Sequence, residues 1–232
     1  MFDIIIPCLF SHFSNIKKTI DSFNHQELIY NIIIVLNNVQ DNKINLEFLG
    51  NYQAKINVIE IKDKMLPGIA RQEGLKHSTS DFVVFHDADD EAHPNKLLIL
   101  KFCFEKHQCD HILHLIQPVE LKFLEYDLNK IKIVSDDKIR KYFQQKKQCD
   151  FGDIVGKRCS HGLSTVRREK IIDIQWLNIK SGEDKDFNLK SLLKGNKMLL
   201  IDAYLSKYNR YKMKIMKKYH PKGWDEFKND IS

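Results

Sequence analysis

Over its first hundred residues the chain alternates apolar runs with segments of helical spacing, and this alternation restricts the fold more than any other feature. Residues 2–7, 31–36 (NIIIVL), 56–61 and 82–86 read as strands, the first two buried on both faces. Between them, residues 12–24 place Phe13, Ile16, Ile20 and Phe23 at helical spacing, 43–52 predict a short helix, and 67–77 predict a helix with Pro67 in its first turn. Pro94 opens a further helix to residue 104. Strands alternating with helices at this spacing imply a mostly parallel sheet with helices on both faces. Such sheets bind ligands beyond the carboxyl ends of their strands. Pro7, Asn37 and Asp87 all fall at such ends, so three motifs converge on one rim.

The second half is less regular. Residues 112–119 and 160–166 read as strands, 136–147 as a helix, and 198–201 as another strand. The stretch SGEDKDFNLKSLLKG predicts a helix begun by acidic residues and closed by Gly195. The expected organisation is one α/β domain in two halves, 1–104 and 105–205, followed by a basic helical tail, 206–232.

The densest chemistry lies in residues 68–97, GIARQEGLKHSTSDFVVFHDADDEAHPNKL. Asp87, Asp89 and Asp90 put three carboxylates into four residues at the mouth of a strand. They cannot share a site at neutral pH without a counter-charge. A divalent cation such as Mn²⁺ or Mg²⁺, held by hard oxygen ligands together with substrate phosphates, would supply it. Asp89 and Asp87 are the candidate metal ligands, with Ala88 between them on the same rim. The plainer reading is an acidic loop that caps the helix at Pro94. Arg71, on the preceding helix, suits a diphosphate or a carboxylate, or forms an ordinary surface pair. Glu183 and Asp184 supply either a general base or N-terminal helix capping. His161 and Arg167 are candidate acceptor contacts, His161 being equally readable as a structural histidine. His111 and His114 are an HxxH on a strand, which points them to opposite faces and argues against a metal site.

Composition narrows the classes. Hydrophobic residues at 43% and charged residues at 29% are globular values and argue against global disorder. The five cysteines have no CxxC spacing, so reduced thiols in a cytosol are the simpler reading. The start MFDIIIPCLF lacks a basic leader, and no apolar run reaches the ~18 residues of a membrane span. The expectation is a cytoplasmic protein, with peripheral contact at the inner face of the membrane as an option. Most of the net charge of +6 sits beyond residue 204. From Lys207 to Lys222 the chain carries basic residues and no acidic one, with Tyr208, Tyr211, Ile215 and Tyr219 on one helical stripe. That pattern suits a packing helix or an anionic membrane surface; no nucleic-acid partner is expected.

These motifs, in this order, resemble family 2 glycosyltransferases of the GT-A fold. The first strand ends in DIIIPCLF, the second leads to the turn NIIIVLNNVQDN, GIARQEGLKHS is similar to a G-x-x-x-R-N-x-G-L segment, and FVVFHDADDEAHPNKL is similar to the metal-site signature. HGLSTVRRE followed by GEDKDFNLKSLLKG resembles the acceptor region and the E-D catalytic signature. The resemblance implies inverting transfer of a sugar from a nucleotide-diphosphate donor to a saccharide or lipid-linked acceptor, in surface-polysaccharide assembly. It implies Asp184 as base with Glu183 beside it, Asp87 at the ribose, Asp89 at the metal, Asn37 in the base-recognition turn, and Arg71 at the nucleotide or diphosphate. Two departures stand out: Leu36-Asn37-Asn38 where Asp is usual, and Gln72 in place of Asn. Uridine remains the default base. A dinucleotide oxidoreductase is excluded by the missing G-x-G-x-x-G after the first strand. A DxD phosphatase and a non-catalytic glycan- or nucleotide-sugar-binding module are the alternatives.

Overall fold

The computed structural model describes residues 1–39, 44–147 and 149–208. In chain order, β1 (Phe2–Leu9), α1 (Lys17–Asp21), β2 (Ile29–Asn37), β3 (Lys55–Ile61), α2 (Pro67–Lys76) and β4 (Phe82–Phe85) make the first half. Next come β5 (Glu91–Ala92), α3 (Lys96–His107), β6 (His111–Pro118), β7 (Ile133–Val134) and α4 (Asp136–Lys146). The described residues end in β8 (Cys159–Arg167), α5 (Arg168–Ile171), α6 (Glu183–Leu193) and β9 (Met198–Tyr208). Among the described residues the strands form one nine-stranded sheet, ordered β3-β2-β1-β4-β8-β6-β9-β5, with β7 paired to β9.

β1 shows why this sheet is buried. Ile4 and Ile6 face a core with Phe13, Ile16, Ile20, Phe23 and α3, while Ile5 faces Ala70, Leu75, Trp176 and Phe187 from the other side. Each such fully buried side chain is worth ~1.5–3 kcal/mol against leaving it in water. Asp3, at the start of β1, is also buried. Its carboxylate accepts hydrogen bonds from Ser78 Oγ, the Thr79 and Ser80 amides, Ser80 Oγ and Asn31 Nδ2, at 2.7–3.0 Å. This pins the loop between α2 and β4 to the floor of the sheet. Gly74 lets α2 lie close above it: a Cβ there would meet Ile5 Cγ2 at 2.4 Å.

β1, β2, β3 and β4 pair in parallel, as do β6 and β9. β8 runs antiparallel between β4 and β6. The carboxyl ends of β1, β2, β4, β6 and β9 therefore share a rim with the amino end of β8, and the carboxyl end of β8 lies at the opposite edge.

Several expectations need adjustment. The helix expected over 43–52 is one 3₁₀ turn at Glu47–Leu49. Pro94 precedes α3 by a turn, and Asn95 stands at the N-cap. Residues 206–208 belong to β9: Ser206 is buried and pairs with Ala92 and Ile116. Tyr208 is thus a strand residue and not the first member of a helical stripe. The rest of the tail, from 209 onward, lies outside the described residues. No helix among the described residues is long and apolar enough to cross a membrane.

Candidate active site

The site is organised by one buried arginine. Arg71 rises from α2 to the rim and is 3% exposed. Its Nη2 donates to Asp87 Oδ1 at 2.7 Å, and its Nη1 to Glu183 Oε1 at 3.1 Å. Two carboxylates 96 positions apart in sequence are thus held on one guanidinium fork, the geometry for which arginine is suited. Burial works against the charge of Arg71, but Asp87, Glu183 and Asp184 outweigh it and raise its pKa. Two glycines make room. A Cβ at Gly68 would stand 3.0 Å from Glu183 Cγ, and one at Gly162 would stand 3.0 Å from Arg71 Nη2 and 3.6 Å from Asp184 Oδ2.

Glu183 and Asp184 open α6 behind Gly182, whose φ of +88° suits glycine. Gly182 has no side chain with which to cap the helix; the carboxylates of the first turn favour the positive end of the helix dipole. They are not equivalent. Glu183 is buried, and desolvation, strengthened by Asp184, raises its pKa in spite of Arg71. Asp184 is half-buried, accepts the Lys185 amide on Oδ1 at 2.8 Å, and makes no ion pair among the described residues. Of the two, Asp184 is the more exposed.

The acidic turn is built by the backbone. The Asp90 amide donates to Asp87 O at 3.3 Å, and Thr19 Oγ1 to Ala88 O at 2.8 Å, tying the turn to α1. Asp89 is half-buried and close enough to Cys8 that, after burial, it helps push the thiol pKa up to about 12. Asp90 is not at the rim: it is buried beside Lys96, a fully buried residue whose Nζ donates to Ser206 Oγ at 3.0 Å. Burial brings the Lys96 pKa down to about 7, against the pull of Asp90 and Asp87. His86, also buried, is lowered to about 3 by desolvation and by Lys96, and so stays neutral. Two basic side chains therefore stand by the cluster, Arg71 at Asp87 and the buried Lys96 near Asp90. Among the described residues no three His, Cys, Asp or Glu side chains are grouped to hold a metal. Asp89 and Asp87 are the carboxylates of this turn that could hold a hard cation, which would take its remaining oxygens from a diphosphate and water.

The other predicted residues divide. Pro7 is half-buried at the end of β1, in register with Val35. Asn37 reaches the rim but turns its amide inward: Nδ2 donates to Cys8 O at 3.0 Å and Oδ1 accepts the Met65 amide at 3.0 Å. Its side chain braces β1 and the approach to α2, and the turn that follows begins at Asn38, with φ of +62°. His161 is buried, beside Asn188 Nδ2 at 3.3 Å and 3.8 Å from Asp150 Oδ1. Desolvation lowers its pKa while Asp184 pulls it up, so it borders Asp184. Arg167 is not brought to this rim. It lies at the carboxyl end of antiparallel β8, opposite Phe82 at the start of β4, with Nε on Cys109 O and the guanidinium 5.0 Å from the Phe82 ring. It stands at the edge of the sheet away from Asp87. Sequence reasoning missed Lys96, read only as helix, and Trp176, whose one signal is a large aromatic among the apolar residues Ile174 and Leu177 of a connection.

Comparison with known proteins agrees with this architecture. The crystal structure of S. aureus TarS residues 1–349 superposes with a TM-score of 0.68 at 19% identity, covering 90% of this chain and 60% of that one. The same protein in complex with UDP-GlcNAc gives 0.67, covering 58% of that chain. At this identity the likeness speaks for the fold, which is the GT-A architecture. The amylovoran biosynthesis glycosyltransferase AmsB of Erwinia amylovora is 32% identical over 100 residues, 41% of this chain and 33% of that protein. The chain thus spans about a third of the curated relative it matches. The profile described as glycosyl transferase family 2 matches residues 3–174, from the first strand through the acidic turn to the end of β8 and just beyond. With most of its length inside that profile and a GT-A sheet carrying Arg71 and Asp87 at its rim, the chain belongs to glycosyl transferase family 2.

Proposed function

We propose that this chain is a metal-dependent inverting glycosyltransferase that moves a sugar from a nucleotide-diphosphate donor, a UDP-sugar, to a hydroxyl of a saccharide or lipid-linked saccharide. The observation that carries the reading is the fork of Arg71 between Asp87 and Glu183, with Asp184, half-buried and in no ion pair among the described residues, beside it. The TarS complex with UDP-GlcNAc supports the uridine donor, and AmsB supports a setting in polysaccharide biosynthesis.

In this reading Asp87, fixed by Arg71, holds the ribose and the donor side of the rim. Asp184 accepts the acceptor hydroxyl proton as the oxygen attacks the anomeric carbon from the face opposite the diphosphate. The carbon–oxygen bond to the diphosphate breaks, the nucleoside diphosphate leaves with the electron pair, and configuration inverts. A placed base contributes ~10²–10⁴ in rate. Glu183 keeps Arg71 in place and is not the base. Asp89, with Asp87, would hold Mn²⁺ or Mg²⁺, which supplies positive charge for the leaving diphosphate. His161 and Lys185, around Asp184, mark the acceptor side. The basic run up to Lys222 serves contact with an anionic membrane surface at the cytoplasmic face.

The test is UDP release by the purified chain from a panel of UDP-sugars with Mn²⁺, with and without saccharide acceptors. Release that disappears in Asp184→Asn supports an enzyme with this base. Nucleotide binding without release from any donor supports the non-catalytic module.

A further inference from the structure

Trp176 lies in the connection between α5 and α6, yet it is 4% exposed. Its indole is 5.2 Å from the Arg71 guanidinium carbon and is stacked on Phe187 at 4.1 Å with an interplanar angle of 8°. Phe85 meets both rings edge-on, Trp176 at 5.1 Å and Phe187 at 5.5 Å. The Trp176 amide donates to Gln72 Oε1 at 3.1 Å. Each partner belongs to an element of the site. Phe85 stands two residues before Asp87, Phe187 one helical turn after Glu183 and Asp184, and Gln72 directly follows Arg71.

We infer that Trp176 is a positioning residue for the transfer reaction, setting the plane of the Arg71 guanidinium so that its fork meets Asp87 and Glu183 together. The inference rests on the donor-site reading above and goes beyond it. A guanidinium is attracted to the face of an indole, more strongly when both are desolvated. Both are buried here, and Arg71 Nε has no hydrogen-bond partner among the described residues to fix its tilt. The indole N–H likewise has no partner among them, so the ring is not held for its polar handle. What remains is its flat face. A leucine would fill much of the space and offer no such face; a phenylalanine would offer a smaller one. Gln72, where the family pattern has Asn, carries the longer arm that reaches the Trp176 backbone.

The test is a double-mutant cycle on the full chain, reading UDP affinity by calorimetry in Mn²⁺ below the melting temperature. Trp176→Leu is expected to weaken UDP binding about tenfold, and Trp176→Phe by less. In an Arg71→Lys background, where the planar fork is gone, Trp176→Leu should add less than twofold, because the two changes remove one interaction. An equal loss in both backgrounds, or a lower melting temperature with UDP affinity unchanged, overturns the positioning role. If Trp176→Leu does not fold, Trp176→Phe carries the same cycle. A second arm needs no ligand. In a Trp224→Phe chain only Trp176 emits, and Arg71→Met should change its emission; unchanged emission overturns the contact. A wild type that does not bind UDP overturns the donor reading, and the emission arm then decides the stack alone.

Discussion

Gly162 faces Arg71 so closely that a single methyl group would stand 3.0 Å from Nη2. The guanidinium cannot retreat without leaving Asp87 or Glu183, since it is held at 2.7 and 3.1 Å. The glycine of β8 is therefore part of the arginine's seat.

Gly162→Ala is predicted to lower kcat/KM by about tenfold or more, equivalent to ~1.4 kcal/mol of transition-state stabilisation. The melting temperature should stay within a few degrees, because the surrounding strand pairing is untouched. Steady-state kinetics on UDP-sugar turnover check this, and an unchanged kcat/KM contradicts the described fork.

Glu183 and Asp184 should separate in kinetics. Asp184→Asn removes the proton acceptor, so kcat falls ~10² or more with donor KM little changed. Glu183→Gln loosens Arg71 and through it Asp87, so donor KM rises and kcat suffers less. The reverse pattern would make Glu183 the base.

Lys96 makes a prediction about pH. Its folded pKa, about 7, lies below its ordinary value of 10.5, so below pH 10.5 the unfolded chain takes up this proton before the folded one. Lys96 therefore costs stability progressively as pH falls from about 10 to 7, and stability rises with pH across that window. Denaturant unfolding of wild type and Lys96→Met should show the wild type gaining on the variant from pH 7 to 10. A difference independent of pH means that Lys96 stays charged throughout.

Much of this was legible in the sequence, for local reasons. Pro67 at the first turn and the apolar run of 82–85 define α2 and β4, and the acidic turn follows directly, so the position of Asp87 at the rim needs no tertiary information. Its partner was less legible. Arg71 and Glu183 meet across 112 residues because α6 returns over α2, and nothing in the sequence shows that Arg71 and Lys96 stand by the carboxylates of the turn. Lys96 reads as a helix residue until β9 buries it against Ser206. Arg167 lies apart from Asp87 for a topological reason: a strand's direction is not written in its apolar pattern, and β8 runs against β4, so its end points to the opposite edge. Asn37 was placed correctly, but whether its amide turns to a ligand or to the neighbouring backbone depends on Cys8 and Met65, which only the fold brings to it.

The central claim is that a nucleoside diphosphate sits at the Asp87–Asp89 rim with a divalent cation. Calorimetric titration of UDP into the wild type and Asp89→Ala, each in Mn²⁺ and in EDTA, tests it most directly. Wild-type binding is expected to weaken at least tenfold in EDTA, and the Asp89→Ala variant to fold normally and no longer respond to Mn²⁺. Equal UDP affinity in Mn²⁺ and EDTA, or an Asp89→Ala variant as metal-responsive as the wild type, would contradict it.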